Sequence, residues 1–257
     1  MNSKTDISPG YSRALQRIGP VALSTRFFQG FGSLPDTYKN FAFGTFLLFY
    51  YNQVLGLPAS RASLALMIAL ILDAISDPLV GSWSDRFSSR IGRRHPFMYA
   101  SAVPLGVFLY LVFSPPAALS GWALFSWLLI FTVLVRTAMT FFTVPWNALF
   151  AEFSEDYVER TAIITWRYVV GWFGGTAFTV LTWSLIFPST PEFTPGHLNP
   201  EAYGVFAVVL GGLVSVAVFA TTFLTRREVP YLLQPAESRP FALTAVFTEV
   251  GLALHNR

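Results

Sequence analysis

Six apolar runs, each long enough to cross a bilayer as a helix, dominate this chain and restrict what it can fold into. They occupy approximately residues 39–57, 62–83, 96–113, 121–150, 162–187 and 202–224. A helical span needs ~20 mostly apolar residues, whereas a membrane β-strand shows ~10 residues of alternating polarity. These runs are long and unbroken, so the expected fold is an all-α membrane protein built as a six-transmembrane-helix bundle. Only 12% of the 257 residues are charged, against ~25% in an ordinary soluble domain. Such a chain could not cover an aqueous surface without large apolar patches. The composition therefore excludes a soluble enzyme, a nucleic-acid-binding domain and a disordered chain.

Basic residues set the expected orientation, because lysine and arginine in short loops favour the cytoplasmic side. Lys4, Arg13, Arg17, Arg26 and Lys39 precede or open the first run. Arg86, Arg90, Arg93 and Arg94 follow the second, Arg160 follows the fourth, and Arg226, Arg227, Arg239 and Arg257 follow the sixth. On the opposite side only Arg61 appears. Both termini are thus expected in the cytoplasm, with the chain in the plasma membrane, a bacterial inner membrane fitting best. The expected organisation is a polar cytoplasmic tail over 1–38, a membrane bundle over 39–225 and a linker over 226–257. The end of that linker, 241–257, reads as a short, partly amphipathic helix.

Four ionisable side chains fall inside the spans: Asp73, Asp77, Arg136 and Arg167. Each costs at least ~2.5–3.5 kcal/mol at the centre of an inserted helix, so each needs a polar interior or a water-filled cavity. Asp73 and Asp77 are one helical turn apart on one face. Two such carboxylates raise one pKa unless a cation lies between them. A hard cation prefers several oxygen ligands. Ser76, Thr140 and Asn40 are the further oxygens expected to complete a Na+ site, or an H+ site if one aspartate titrates. The rival reading is that the acids form structural salt bridges with Arg136 or Arg167, or that Asp77 lies in interfacial water.

Arg136, Thr140, Thr143 and Asn147 recur at helical spacing and form a polar stripe on the fourth run. Such a stripe either lines a solute cavity or hydrogen-bonds to a neighbouring helix. On the fifth run Trp166 and Arg167 pair a stacking face with a bidentate donor, suited to a polar organic solute. The alternative is that Arg167 snorkels to the interface. Gly171, Gly174, Gly175, Gly211 and Gly212 are small residues expected to let helices approach closely.

Other chemistries find no support. Cysteine is absent, which removes disulfides and thiolate sites. No phosphate-cradling glycine loop is present, and no nucleophile–histidine–acid set falls in the spans. His95, His197 and His255 fall in expected loops and tail. No enzyme activity, no cofactor and no nucleic-acid partner are expected, and the coupling ion, Na+ or H+, is the only small inorganic guest.

Two sets of motifs resemble a known family. Gly81, Asp85 and Arg86, followed by Gly92, Arg93 and Arg94, resemble the G-x-x-x-D-R…G-R-R loop of the major facilitator superfamily. Asp73, Ala74, Asp77, Pro78 and Gly81 resemble the helix-two signature of its glycoside–pentoside–hexuronide:cation symporters. Val144, Pro145, Trp146, Asn147, Ala148 and Leu149, then Asp156, Tyr157, Glu159, Arg160 and Thr161, and Trp166 with Arg167, match the helix-four and helix-five region. Lys39, Asn40, Phe41 and Ala42 align at the start of the first run.

The resemblance implies that Asp73 and Asp77 bind the coupling cation with Thr140, and that Arg167 contacts solute. It implies a conformational-switch loop at Gly81, Asp85, Arg86, Gly92, Arg93 and Arg94. Asn40 and Thr143 stand where sugar-binding acids occur in the family, and Asn147 stands where a sugar-stacking tryptophan occurs, with Trp146 adjacent. The solute set expected here is therefore Arg167, Asn40, Thr143, Trp146, Asn147 and Arg136. The implied fold is one half of a twelve-helix transporter that rocks against a second six-helix half, supplied by a missing C-terminal half or a partner chain. The implied activity is cation-coupled symport of a sugar, glycoside or related organic solute. The alternatives are a cation-dependent lipid or amphiphile transporter of the same superfamily, and a transport-inactive half-size subunit.

Overall fold

The computed structural model describes residues 11–12, 15, 17, 19–232 and 234–235. The expected helix at 241–257 lies outside them. Within them the chain is helical: α1 (Leu23–Phe31), α2 (Leu34–Ala42), α3 (Ala59–Arg86), α4 (His95–Val112), α5 (Gly121–Phe153), α6 (Tyr157–Leu181) and α7 (Ala202–Thr225). Wide π turns prolong α2 over Phe43–Leu47 and Tyr50–Val54, and another prolongs α6 over Thr182–Ile186. A two-residue antiparallel pairing of Tyr11–Ser12 with Gln234–Pro235 is the β-structure among the described residues. Among the described residues five helices are long and apolar enough to cross a membrane: α3, α4, α5, α6 with its π turn, and α7 with the 3₁₀ turn Arg226–Tyr231.

The helices form an open ring. α4 packs between α5 and α7, and α3 lies on the far side of α5. The pair α1–α2 bridges α7 and α6, while α5 and α6 barely touch. The tightest seam is between α4 and α7. A Cβ at Gly106 would fall 2.6 Å from the Gly211 carbonyl oxygen, and a Cβ at Gly211 would fall 2.5 Å from that of Gly106. These backbones approach as closely as they do because neither residue has a side chain. Gly171, Gly174 and Gly175 do the same for α6 against Ser33, Leu34 and Thr37. Gly212 does not share this role, since a Cβ there would meet open space.

Polarity is arranged for a hydrocarbon solvent. α3 presents Leu64, Met67, Leu70, Ile71 and Ile75 outward, and α6 presents Trp172 and Phe173, each 75% exposed. Phe46, Tyr51, Phe113, Tyr203 and Phe206 fill the interior between the first helices, α4 and α7. Pro145 sits inside an unbroken α5.

The start of the bundle differs from expectation. Residues 1–38 read as a polar tail, yet α1 is a packed helix and α2 begins at Leu34. α1 escaped notice because its buried face is small and polar, with Thr25, Gln29 and Gly30 turned inward and Leu23 and Phe27 outward. His95, expected in a loop, is the first residue of α4. It is fully buried, with Nε2 3.3 Å from Thr225 Oγ1.

Candidate functional site

The paired aspartates of α3 face α5. Arg136 Nη1 donates to Asp73 Oδ2 at 2.8 Å. Thr140, one turn further along α5 and buried, places Oγ1 3.2 Å from Asp73 Oδ1 and 2.8 Å from Asp77 Oδ1. The same hydroxyl lies 3.1 Å from the Arg136 carbonyl oxygen. One hydroxyl proton is therefore shared among three acceptors, and the carboxylates converge on an oxygen that can satisfy only one of them at a time. Asp77 meets no basic side chain among the described residues and stays exposed. The acids are thus not closed off by guanidinium groups, although Asp73 is partly engaged.

Two of the expected ion ligands lie elsewhere. Ser76 Oγ donates to the backbone oxygen of Asp73 at 3.0 Å rather than to a carboxylate, because the i−3 carbonyl is its nearest acceptor in a helix. Asn40 is on α2, away from the pair, and its Nδ2 donates to Asp36 Oδ2 at 2.9 Å.

A cavity of about 910 Å³ opens where α5 and α6 splay, with α2 behind them. Thr143, Trp146 and Asn147 contribute from α5, Arg167 from α6 and Asp36 from α2. The Arg167 guanidinium carbon lies over the Trp146 ring, 3.7 Å from its centroid, and the guanidinium donates to Asn147 Oδ1. The cation–π contact and the hydrogen bond together hold in place a cation that no described carboxylate neutralises. Arg167 thus faces the cavity rather than snorkelling. Trp146 itself is only 4% exposed and turns its N–H toward α1, so it supports Arg167 more than it offers a free face. Arg136 does not line the cavity and belongs with Asp73.

The polar stripe of α5 therefore splits. Arg136 and Thr140 face α3, while Thr143 and Asn147 face the cavity. One half of the stripe hydrogen-bonds a neighbouring helix and the other half lines a cavity. Asp36 was missed. It forms a cluster with Lys39, Nζ to Oδ1 3.1 Å, and with Asn40. Its spacing to Lys39 and Asn40, three and four residues, is a helical signal that the assumed tail concealed.

At one end of the bundle the loop between α3 and α4 is braced to α5. Arg94 pairs with Asp85 at 3.1 Å and with Glu152 at 2.6 Å, and Arg93 pairs with Glu152 and hydrogen-bonds the Asp85 carbonyl at 3.2 Å. Arg93 and Arg94 are 7% and 6% exposed. Burial pushes the Arg94 guanidinium below its ordinary pKa, against the pull of Glu152 and Asp85. Gly92 turns this loop with a φ of 90°, a conformation that favours glycine. Arg86 ends α3 beside this brace and Gly81 lies one turn or more before it. Glu152, which completes the cluster, was not anticipated.

A bundle of membrane-length apolar helices with a cavity where α5 and α6 splay and a carboxyl pair of α3 facing α5 has the architecture of a solute carrier. Comparison with known proteins gives the family. The profile of the family described as MFS/sugar transport protein matches residues 28–257. An uncharacterized symporter of Synechocystis sp. is 31% identical over 220 residues, covering 81% of this chain and 39% of the relative. The inner membrane symporter YicJ of Escherichia coli is 30% identical over 184 residues, 71% of this chain and 38% of the relative. The sodium-dependent lysophosphatidylcholine symporter 1 of Xenopus tropicalis is 28% identical over 180 residues, 70% of this chain and 34% of the relative. The chain belongs to the major facilitator superfamily, among its glycoside–pentoside–hexuronide:cation symporters. This is a family of transporters rather than enzymes. The matched region spans between about a third and two fifths of the length of these curated relatives.

Proposed function

We propose that this chain forms the N-terminal six-helix half of a cation-coupled symporter, with α2 and its π turns as the first of the six spans. The solute is a sugar, glycoside or related organic molecule, as the family description suggests. A second six-helix half completes the machine, in keeping with relatives more than twice the length of the matched region. The chain sits in a bacterial inner membrane with both termini cytoplasmic, in line with the asymmetry of lysine and arginine.

In this reading Asp73, Asp77 and Thr140 hold Na+ or H+, and Arg167, Asn147, Thr143 and Asp36 contact the solute. The observation that carries it is the position of Thr140. Its hydroxyl lies within hydrogen-bond distance of both carboxylates, and Thr143, one turn on, lines the cavity. Cation and solute would therefore act on the same short stretch of α5. A cation neutralising the carboxylates would relax α3 against α5 and favour solute binding, and solute would raise cation affinity by the same factor. The brace of Asp85, Arg93, Arg94 and Glu152 would hold one end of the bundle shut in one state and yield in the other.

The test is uptake of radiolabelled glycosides by vesicles carrying the protein with its second half, with and without a sodium gradient. Asp73→Asn and Asp77→Asn should each abolish cation-stimulated uptake, and Arg167→Lys should abolish solute binding. Unchanged stimulation in both aspartate variants would remove the proposal. A lipid or amphiphile solute is the second reading. It is favoured by the lateral opening of the cavity between α5 and α6, where Tyr168 and the exposed Trp172 form the rim, and by the lysolipid symporter among the relatives. Competition by lysophosphatidylcholine and not by glycosides would select it.

A further inference from the structure

The two carboxyl groups of α3 share one helix face, and one positive charge is already built in beside them. Arg136 reaches Asp73 from α5 with Nη1 on Oδ2 at 2.8 Å. The contact is incomplete for an arginine. Its Nε is buried without a hydrogen-bond partner among the described residues, so the paired donors of the guanidinium fork are not both used. Asp77, on the same face, meets Thr140 and no basic side chain among the described residues. Arg136 is also the residue whose own carbonyl accepts from Thr140, so the guanidinium and the shared hydroxyl are fixed by one turn of α5.

We propose that Arg136 is a tethered counter-ion that competes with the coupling cation for Asp73, so that the cation enters only as the guanidinium leaves. This rests on the assignment of the aspartate pair as the cation site. A mobile cation needs oxygens from both acids and from Thr140, and the guanidinium occupies one of those oxygens while adding a like charge next to the site. With Arg136 seated, α3 and α5 stay packed against each other in the absence of ion. With Arg136 displaced, the guanidinium is released from α3, and the contact between α3 and α5 changes in step with ion occupancy. Arg136 thereby lowers ion affinity and links ion binding to helix packing. A purely structural salt bridge would hold the two helices together without setting that affinity.

The experiment measures the sodium-dependent rise in melting temperature of the detergent-purified chain, titrated with sodium chloride against choline chloride at constant ionic strength. Arg136→Gln and Arg136→Ala should bind sodium roughly tenfold tighter or more than the parent, because a unit charge a few ångströms away is worth more than that at the screening typical near a protein surface. Arg136→Lys, which keeps the charge, should bind more weakly than Arg136→Gln. Asp77→Asn serves as the site control. Tighter sodium binding in the neutral variants supports the inference, and a poorly folded variant cannot mimic it. Equal or weaker binding in those variants, with sodium stabilisation lost in Asp77→Asn, would overturn the role of Arg136 and leave the cation site standing. Sodium stabilisation undiminished in Asp77→Asn would overturn the cation site and this inference together, and so would no response in any form.

Discussion

Trp146 of α5 donates its indole N–H to the carbonyl oxygen of Gln29 in α1 at 3.1 Å, and the Gln29 side-chain amide donates back to the Trp146 carbonyl at 3.0 Å. This exchange sits where α1 gives way to α2. There Gly32 N–H takes the Gln29 carbonyl at 3.2 Å, and Ser33 N–H takes that of Gly30 at 2.9 Å, so the turn tightens and the helix breaks. A side chain inserted into the backbone ladder is a sufficient cause of such a break. Gly32 is required for the approach, since a Cβ there would fall 2.1 Å from the indole nitrogen. The opposite role of the same ring is to carry Arg167.

Trp146→Phe keeps a ring beneath Arg167 and removes the N–H. The Gln29 carbonyl retains Gly32 as a donor, so the expected loss is about 1 kcal/mol of stability. Solute affinity should change little, because the stacking face persists. Trp146→Ala should lose both. Thermal unfolding in detergent, paired with a solute-binding titration, checks the separation. A phenylalanine variant that unfolds like the parent would show that the hydrogen bond contributes nothing.

Much of this site was legible in the sequence, for a definite reason. Charges inside apolar runs are costly, so Asp73, Asp77, Arg136 and Arg167 stand out. Their spacing places the two acids on one face without any structure. Thr140, Thr143 and Asn147 followed from the same helical count. What the count could not supply was azimuth between helices, and that is why Asn40 was grouped with the acids and Arg136 with the solute. Asp36 and Glu152 were hidden for another reason. Each sits near a helix end, where a carboxylate looks like ordinary solvated surface until its arginine or lysine partner is seen. α1 was hidden by its inverted polarity, since a helix that buries threonine and glutamine carries no apolar stripe of the usual kind.

Gly211→Val tests the seam between α4 and α7. The added carbons would collide with the Gly106 backbone rather than with a flexible side chain, so the helices must separate. The expected cost is about 2 kcal/mol or more, typical of overpacking where nothing yields easily. Gly212→Val, whose side chain enters open space, should be nearly silent in the same melting assay. Equal effects at the two positions would refute the seam.

Thr140→Val removes the shared hydroxyl and keeps the shape. Both carboxylates lose a donor, and a bound cation loses an oxygen. Sodium affinity should fall about tenfold or more, in the range expected for a hydrogen bond to a charged group. Thr140→Ser should restore most of it. Sodium titration of the melting temperature reads both variants, and a valine variant with unaltered affinity would show that Thr140 is not part of the ion site.

Glu152→Gln addresses the brace at the end of the bundle. Glu152 is the carboxylate that both Arg93 and Arg94 meet, and all three side chains are nearly buried. Removing its charge leaves Arg94 with Asp85 alone as a carboxylate at close range, and about 3 kcal/mol is expected from breaking a buried pair in this way. The loss should fall on the closed end, so access to the cavity is the more informative readout. The chain contains no cysteine, which makes a single reporter straightforward. A cysteine placed at Thr143, on the cavity wall, should react faster with a membrane-impermeant maleimide from the side of the brace in the Glu152→Gln background than in the parent. Labelling from the opposite side should slow in the complete two-half protein if the two ends open alternately. Equal labelling rates in both backgrounds, with the expected loss of stability present, would mean that the cluster holds the fold together but does not gate the cavity.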